Sequence, residues 1–195
     1  DSWAWEADWG LRPGCKQSHR WASHFRWRRT SPLSFSALHI GDLHFWRFPR
    51  NPLTLLGKRL LGVANLGLRR ARKFHQHRIG ELVGYAQGLP ADHILFSGDF
   101  TTTALDHEYR AATESLAPLL ANAAAVPGNH DRYNLSAIRN RTFEKHLSAA
   151  CDGGEWPFFR LLGDGVALAG IDPTTSNGLG SHGSVDPAQV ERFLD

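Results

Sequence analysis

Short, mainly apolar runs that end at glycine recur along the chain from residue 35 onward. Phe35–Ile40 ends at Gly41, His93–Phe96 is followed by Ser97 and Gly98, and Ala123–Val126 is followed by Pro127 and Gly128. Apolar runs of this length, bounded by turn-forming residues, are typical of buried β-strands. We therefore predict three buried strands, each of which leads directly into a turn.

Segments with helical spacing alternate with these strands. The predicted helices cover residues 53–66, 68–85, 106–116 and 135–147, and the third is expected to stop near Pro118. Asp186 is a good N-cap and Pro187 suits a first helical position, which predicts a last helix there. Strands that alternate with helices favour an α/β sheet.

Two further apolar runs predict a β-hairpin. They are Phe158–Leu162 and Val166–Ile171, and the Gly-Asp-Gly string at 163–165 between them has turn chemistry.

The composition bounds the class of protein. The chain has 195 residues, of which 42% are hydrophobic and 21% charged, and it has no apolar run long enough to cross a bilayer. Its two cysteines, Cys15 and Cys151, argue against a disulfide framework and favour a reducing, cytoplasmic compartment. Because the chain contains no methionine, we expect it to be a fragment or a processed form.

The first 33 residues differ from the rest of the chain. They hold five of the seven tryptophans, interleaved with Arg, His and Ser, and show no helical or strand periodicity. We predict an unstructured extension over 1–33 and one domain over 34–195. Stacking of Trp and Arg on nucleic-acid bases, or placement at a membrane surface, stays an alternative for the extension.

Positive charge is concentrated in one stretch. Residues 45–80 carry nine Lys or Arg and no Asp or Glu, whereas 81–195 carry seven basic and fifteen acidic side chains. The segment 47–78, with Arg69, Arg70 and Arg72, is interpreted either as a cationic amphipathic surface or as a solvated helix pair. The first interpretation predicts contact with substrate, a peripheral membrane surface or nucleic acid.

Polar side chains with metal-ligand chemistry follow each of the three predicted strands. Asp42 and His44 are two apart, so in an extended segment both would face one side and reach one ion. Asp99 follows Gly98, and a carboxylate can bridge two ions. Asn129 offers an amide oxygen, and the neighbouring His130 could face substrate instead. This donor set suits Mn, Fe, Zn or Co better than calcium.

The ordered strings Asp-x-His (42–44), Gly-Asp (98–99) and Gly-Asn-His-Asp (128–131) resemble the calcineurin-like metallophosphoesterase family. The resemblance covers the chain from about Phe35 to its end. It implies a metallophosphoesterase-like β-sandwich flanked by helices, here truncated at the C-terminus.

The resemblance also implies a site with two divalent ions. Asp42 and His44 would bind the first ion, Asp99 would bridge, and Asn129 would bind the second. His130 would contact a phosphoryl oxygen or protonate the leaving group, and Asp131 would support the site through hydrogen bonds.

Two departures from the family pattern narrow the expected function. Thr102 stands where protein phosphatases carry an Asp that orients the catalytic histidine, and no Gly-His-x-His string follows downstream. We therefore expect the N-terminal portion of a phosphodiesterase-like member that holds four of about seven ligands and is inactive by itself. The expected reaction of the intact protein is hydrolysis of a phosphodiester or pyrophosphate by a hydroxide that two metals activate. The alternative is a non-catalytic member that binds an anionic partner through residues 47–78.

Overall fold

A computed structural model describes residues 3–6, 26–29, 35–46, 76–163, 165–174 and 183–194. The strands are β1 (Trp3–Glu6), β2 (Arg26–Arg29), β3 (Ala37–Ile40), β4 (His93–Phe96), β5 (Ala123–Ala125), β6 (Phe158–Gly163) and β7 (Val166–Gly170). The α-helices are α1 (Ile79–Gln87), α2 (Asp106–Leu120), α3 (Leu135–Arg139), α4 (Thr142–Leu147) and α5 (Pro187–Leu194). Single 3₁₀ turns lie at Gln76–Arg78, Ser148–Ala150 and Asp152–Gly154.

The three predicted buried strands form one parallel sheet in the order β3-β4-β5. β4 is central, with Leu38 beside Ile94 on one side and Ala124 beside Leu95 on the other. With the helices α1 and α2 between the strands, this arrangement confirms the predicted α/β class. Since the strands are parallel, their carboxyl ends meet at one edge of the sheet, and the three glycine motifs follow at that edge.

An aromatic core lies against this sheet. Phe96 at the end of β4 packs on Phe100 with ring centroids 5.1 Å apart, and Phe100 packs on Phe143 of α4 at 5.9 Å. Phe100 and Phe143 are fully buried. Because Phe100 directly follows Asp99, the loop after β4 is anchored in the hydrophobic core next to a candidate ligand.

The predicted hairpin is confirmed as the antiparallel pair β6-β7. Arg160 of β6 connects it to neighbouring segments, since its guanidinium donates to the carbonyl of Ala123 at 2.6 Å and to the carboxylate of Asp152 at 2.9 Å. The hairpin is therefore tied to the start of β5 through one side chain. Asp164 of its predicted turn lies outside the described residues.

Two helix predictions are corrected. α2 continues past Pro118 to Leu120, because the last turn buries Leu119, which is 2% exposed, and this packing outweighs the lost hydrogen bond of proline. The predicted helix 135–147 is instead two helices, α3 and α4. Arg141 between them has a φ of 47°, which ends regular helical geometry.

The other helix predictions differ in how far the structure tests them. The segment 53–66 lies outside the described residues, and of 68–85 only the part from Gln76 is described, with α1 beginning at Ile79. The last helix begins at Pro187 as predicted, and the Asp186 carboxylate accepts from the backbone N–H of Ala188 at 3.0 Å.

The N-terminal extension contains two short β-strands. β1 and β2 pair antiparallel, with Trp5 beside Trp27. The prediction that 1–33 is an unstructured extension stays a prediction, because most of these residues lie outside the described ranges. Each strand has four residues, which is too short for a period of two to stand out in the sequence. The boundary between 1–33 and 34–195 stays a prediction.

Candidate metal centre

The loops that follow β3 and β4 run side by side beyond the ends of the strands. The backbone N–H groups of Asp42, His44 and Phe45 donate to the carbonyls of Gly98, Asp99 and Phe100 at 3.2, 2.8 and 2.7 Å, respectively. This ladder places the Asp-x-His and Gly-Asp motifs next to each other. The two motifs are thus held together by backbone geometry and not by their side chains alone.

Three side chains from these loops converge. Nε2 of His44 lies 3.4 Å from Oδ1 of Asp42 and 3.7 Å from Oδ2 of Asp99. The His44 side chain is 9% exposed, whereas that of Asp42 is 81% exposed. The cluster therefore has one wall in the protein interior and one side open to solvent.

The backbone at these positions differs from the extended conformation that the sequence predicted. Asp42, His44 and Asp99 have φ values of 57°, 49° and 56°, which places all three in the left-handed region. Side chains rarely accept this conformation, and such residues cluster at functional sites. Asp42 and His44 both have left-handed backbone, lie on either side of Leu43, and come together within one loop and not through the alternation of a strand.

Two glycines allow the loops after β4 and β5 to touch. A Cβ at Gly98, whose φ is +97°, would lie 2.2 Å from the backbone nitrogen of Gly128. A Cβ at Gly128 would lie 2.1 Å from Oδ1 of Asp99 and 2.5 Å from its backbone nitrogen. Only hydrogen fits at both positions, so the glycines of the two motifs are steric requirements of the site.

We expect Gly128→Ala to weaken metal binding, because the added methyl group must displace Asp99. The expected loss of Mn²⁺ affinity is about 10- to 100-fold, the range typical for outer-shell residues of metal sites. Isothermal titration with Mn²⁺ measures it. Gly84→Ala is the matched control, since a Cβ at Gly84 on α1 meets nothing within 4 Å. Equal affinities of the two variants would contradict the steric role of Gly128.

His130 lies against the same cluster. Its backbone N–H donates to Oδ1 of Asp99 at 2.9 Å, and its ring nitrogen Nδ1 lies 2.7 Å from the backbone carbonyl oxygen of Thr102. A carbonyl can only accept, so Nδ1 is assigned as the protonated nitrogen. The backbone of Thr102 thus orients the ring at the position where protein phosphatases use a carboxylate.

Asp131 ties the loop after β5 to the loop after β4. Its buried carboxylate accepts from the backbone N–H groups of Phe100, Thr101 and Gly128 at 3.2, 3.0 and 3.1 Å, and from the Thr101 hydroxyl at 3.1 Å. Burial raises the pKa of Asp131 to about 6, aided by the nearby charge of Asp99 and opposed by these hydrogen bonds. These hydrogen bonds, together with the backbone ladder between the loops after β3 and β4, join the three motif loops into one unit.

Sequence reasoning missed the residues that follow this motif. Arg132 donates to the Glu144 carboxylate at 2.9 Å and to Asp172 at 2.8 Å, and Tyr133 stacks on the His130 ring. The partners of Arg132 lie 12 and 40 residues away. Nothing in the local sequence pattern could have identified them.

For the remaining predicted site residues the structure gives little information on their roles. Asn129 lies exposed in the loop between Gly128 and His130, and its role as a ligand stays a prediction. Arg69, Arg70 and Arg72 lie outside the described residues. Within the described ranges, no helix has the length and apolar character needed to span a bilayer.

A family model described as calcineurin-like phosphoesterase matches residues 35–194, a span that contains all three motif loops. The chain belongs to the calcineurin-like phosphoesterase family. The family predicted from the motifs is thereby confirmed, whereas the phosphodiesterase-like branch stays a prediction. A comparison with curated proteins finds no matching relative.

The donors of this calcineurin-like site fit a divalent metal ion. Ligand atoms bound to one ion at about 2.1 Å lie about 3–4 Å apart, and the distances from His44 to Asp42 and Asp99 fall in that range. His130 lies among the candidates too, because ligand atoms of His44, Asp99 and His130 all lie within 4.8 Å of one another. The number and identity of the ions stay predictions.

Proposed function

We propose that the intact protein hydrolyses phosphodiester or pyrophosphate bonds in a reaction that depends on divalent metal ions. Family membership supports the coarser statement, which is metal-dependent hydrolysis of a phosphate-containing substrate. The observation that carries the proposal is the convergence of Asp42, His44, Asp99 and His130 at the carboxyl edge of the parallel sheet.

In this proposal the ligands divide between two ions. Asp42 and His44 would hold the first, Asp99 would bridge through its two oxygens, and Asn129 would hold the second. When bound, such ions polarise phosphoryl oxygens and lower the pKa of water. The left-handed backbone at Asp42, His44 and Asp99 preorganises the donors before any ion arrives.

His130 would act on the substrate. Because Nδ1 is held by the Thr102 carbonyl, Nε2 is the ring nitrogen that would contact a phosphoryl oxygen or the oxygen of the leaving group. The hydrogen bond from the His130 backbone N–H to Asp99 holds the His130 backbone next to a candidate ligand.

Thr102 supports the diester branch of the family. Its backbone carbonyl supplies the hydrogen bond to His130, and its hydroxyl donates to the His44 carbonyl at 3.2 Å. The site therefore orients its histidine without the carboxylate of the protein phosphatases, as we expect of a phosphodiesterase or pyrophosphohydrolase.

Hydrolysis of bis(p-nitrophenyl) phosphate with Mn²⁺ tests the proposal. The measurement uses the protein from the complete reading frame that contains these residues. We expect turnover above the Mn²⁺ blank, loss of turnover in EDTA, and a kcat about 100-fold lower in His130→Ala. His39→Ala, an exposed histidine on β3, is the control and should retain the wild-type rate. A metal-loaded protein without turnover would contradict the proposal.

A second candidate function rests on the basic segment. The nine positive charges and absent acids of residues 45–80 favour binding of an anionic partner. It would replace the first candidate if the protein does not hydrolyse diesters but binds anionic vesicles, and if the combined Arg69→Glu, Arg70→Glu and Arg72→Glu substitutions remove that binding.

A further inference from the structure

The ring of His130 is contacted on several sides. Nδ1 bonds to the Thr102 carbonyl, the ring of His44 approaches at 4.8 Å with an interplanar angle of 88°, and the ring of Tyr133 stacks at 5.8 Å and 26°. A single hydrogen bond fixes one atom of an imidazole but leaves rotation about that bond. The torsion that sets the plane of a histidine ring has a broad minimum, so the plane depends on neighbouring groups.

Tyr133 is placed to set this plane because both of its neighbours are anchored. Arg132 before it is buried between Glu144 and Asp172. Asn134 after it is the N-cap of α3, and its side chain accepts from the Ala137 N–H at 2.9 Å. The backbone of Tyr133 is thus held on both sides. Its half-buried ring therefore has little freedom to move and packs against the His130 ring.

We propose that Tyr133 is a positioning residue that holds the His130 ring in its working orientation. It acts through His130 and not on the substrate. The inference rests on the proposed function for its kinetic consequence, since His130 must reach a phosphoryl or leaving-group oxygen. Small errors in the placement of a catalytic group lower the rate strongly.

Kinetics of Tyr133 variants test this with bis(p-nitrophenyl) phosphate and Mn²⁺. Tyr133→Ala should lower kcat about 10- to 100-fold with little change in KM, because orientation and not binding is lost. Tyr133→Phe keeps the ring face and should restore most of the rate. Tyr133→Leu, which keeps apolar bulk, guards against a folding defect and should behave as the alanine variant does. Tyr85→Ala, on an exposed tyrosine of α1, is the unrelated control.

A double-mutant cycle separates positioning from a general structural role. If Tyr133 acts only through His130, Tyr133→Ala causes no further loss in a His130→Ala background. An equal loss in both backgrounds would overturn the proposal, as would a Tyr133→Phe variant as slow as Tyr133→Ala. Wild-type kcat in both Tyr133→Ala and Tyr133→Leu would overturn it too.

A spectroscopic measurement makes the inference independent of turnover. In ¹H–¹⁵N spectra of the histidine rings of the metal-free protein, the His130 signals, assigned from His130→Ala, should show the Nδ1–H tautomer in wild type and Tyr133→Phe. In Tyr133→Ala they should shift toward the averaged values of a solvated ring. If the protein proves inactive, the proposed function fails, and this spectrum still decides the placement of His130. Unchanged signals in Tyr133→Ala would overturn the inference.

Discussion

Asp99→Asn is expected to lower the turnover of bis(p-nitrophenyl) phosphate by at least about 100-fold and to weaken Mn²⁺ binding to a similar extent. Outer-shell substitutions already cost about 10- to 100-fold, and Asp99 lies in the centre of the candidate ligands. The substitution preserves size, and an amide oxygen can still accept from the His130 N–H. It removes the negative charge and places an N–H₂ group where Oδ2 now lies 3.7 Å from His44.

Asp92→Asn is the matched control for this substitution. Asp92 precedes β4 and Asp99 follows it, so the same change is made at the two ends of one strand. The Asp92 carboxylate accepts from the Ser36 backbone N–H at 2.7 Å, far along the strand from the candidate ligands. We expect wild-type turnover and Mn²⁺ affinity in Asp92→Asn. If Asp99→Asn has the same turnover and Mn²⁺ affinity as Asp92→Asn, the bridging role of Asp99 is contradicted.

Arg132→Met is expected to lower the free energy of unfolding by about 3–5 kcal/mol, because it leaves two buried carboxylates without their cation. The side chains of Arg132, Glu144 and Asp172 are 5%, 7% and 12% exposed. Burial tends to raise the pKa of Glu144, but the hydrogen bond and charge of Arg132 hold it below its ordinary value. Methionine fills a similar volume and offers neither a donor nor a charge.

Urea denaturation of Arg132→Met and Arg110→Met measures this effect against a surface ion pair. Arg110 on α2 pairs with Asp106, but both side chains are more than half exposed, so its loss should cost about 0–1 kcal/mol. Equal losses in the two variants would contradict the buried network. Combining Arg132→Met with Glu144→Gln and Asp172→Asn should recover much of the stability, because the buried charges are removed together.

The parallel sheet was predictable from the sequence because its strands are short apolar runs that end at glycine. Two later helices were harder to predict. The break between α3 and α4 lies at Arg141, which has a left-handed backbone although it is neither glycine nor proline. No residue type in the sequence therefore signals the break. The continuation of α2 past Pro118 depends on the burial of Leu119 in the hydrophobic core. In both cases tertiary packing outweighed local propensity.

The sequence by itself determined the chemistry of the site and its order along the chain. Asp42, His44, Asp99, Asn129 and His130 follow strands in sequence, and that pattern alone indicated the family that the match over 35–194 confirms. Only the tertiary structure decided how these groups meet. The left-handed backbone of three candidate ligands and the stacking of Tyr133 on His130 are seen only in the folded chain. The bond between His130 and the Thr102 carbonyl joins residues 28 apart, and the bond between Arg132 and Asp172 joins residues 40 apart. Such contacts arise only when the strands align their carboxyl ends, so no local pattern encodes them.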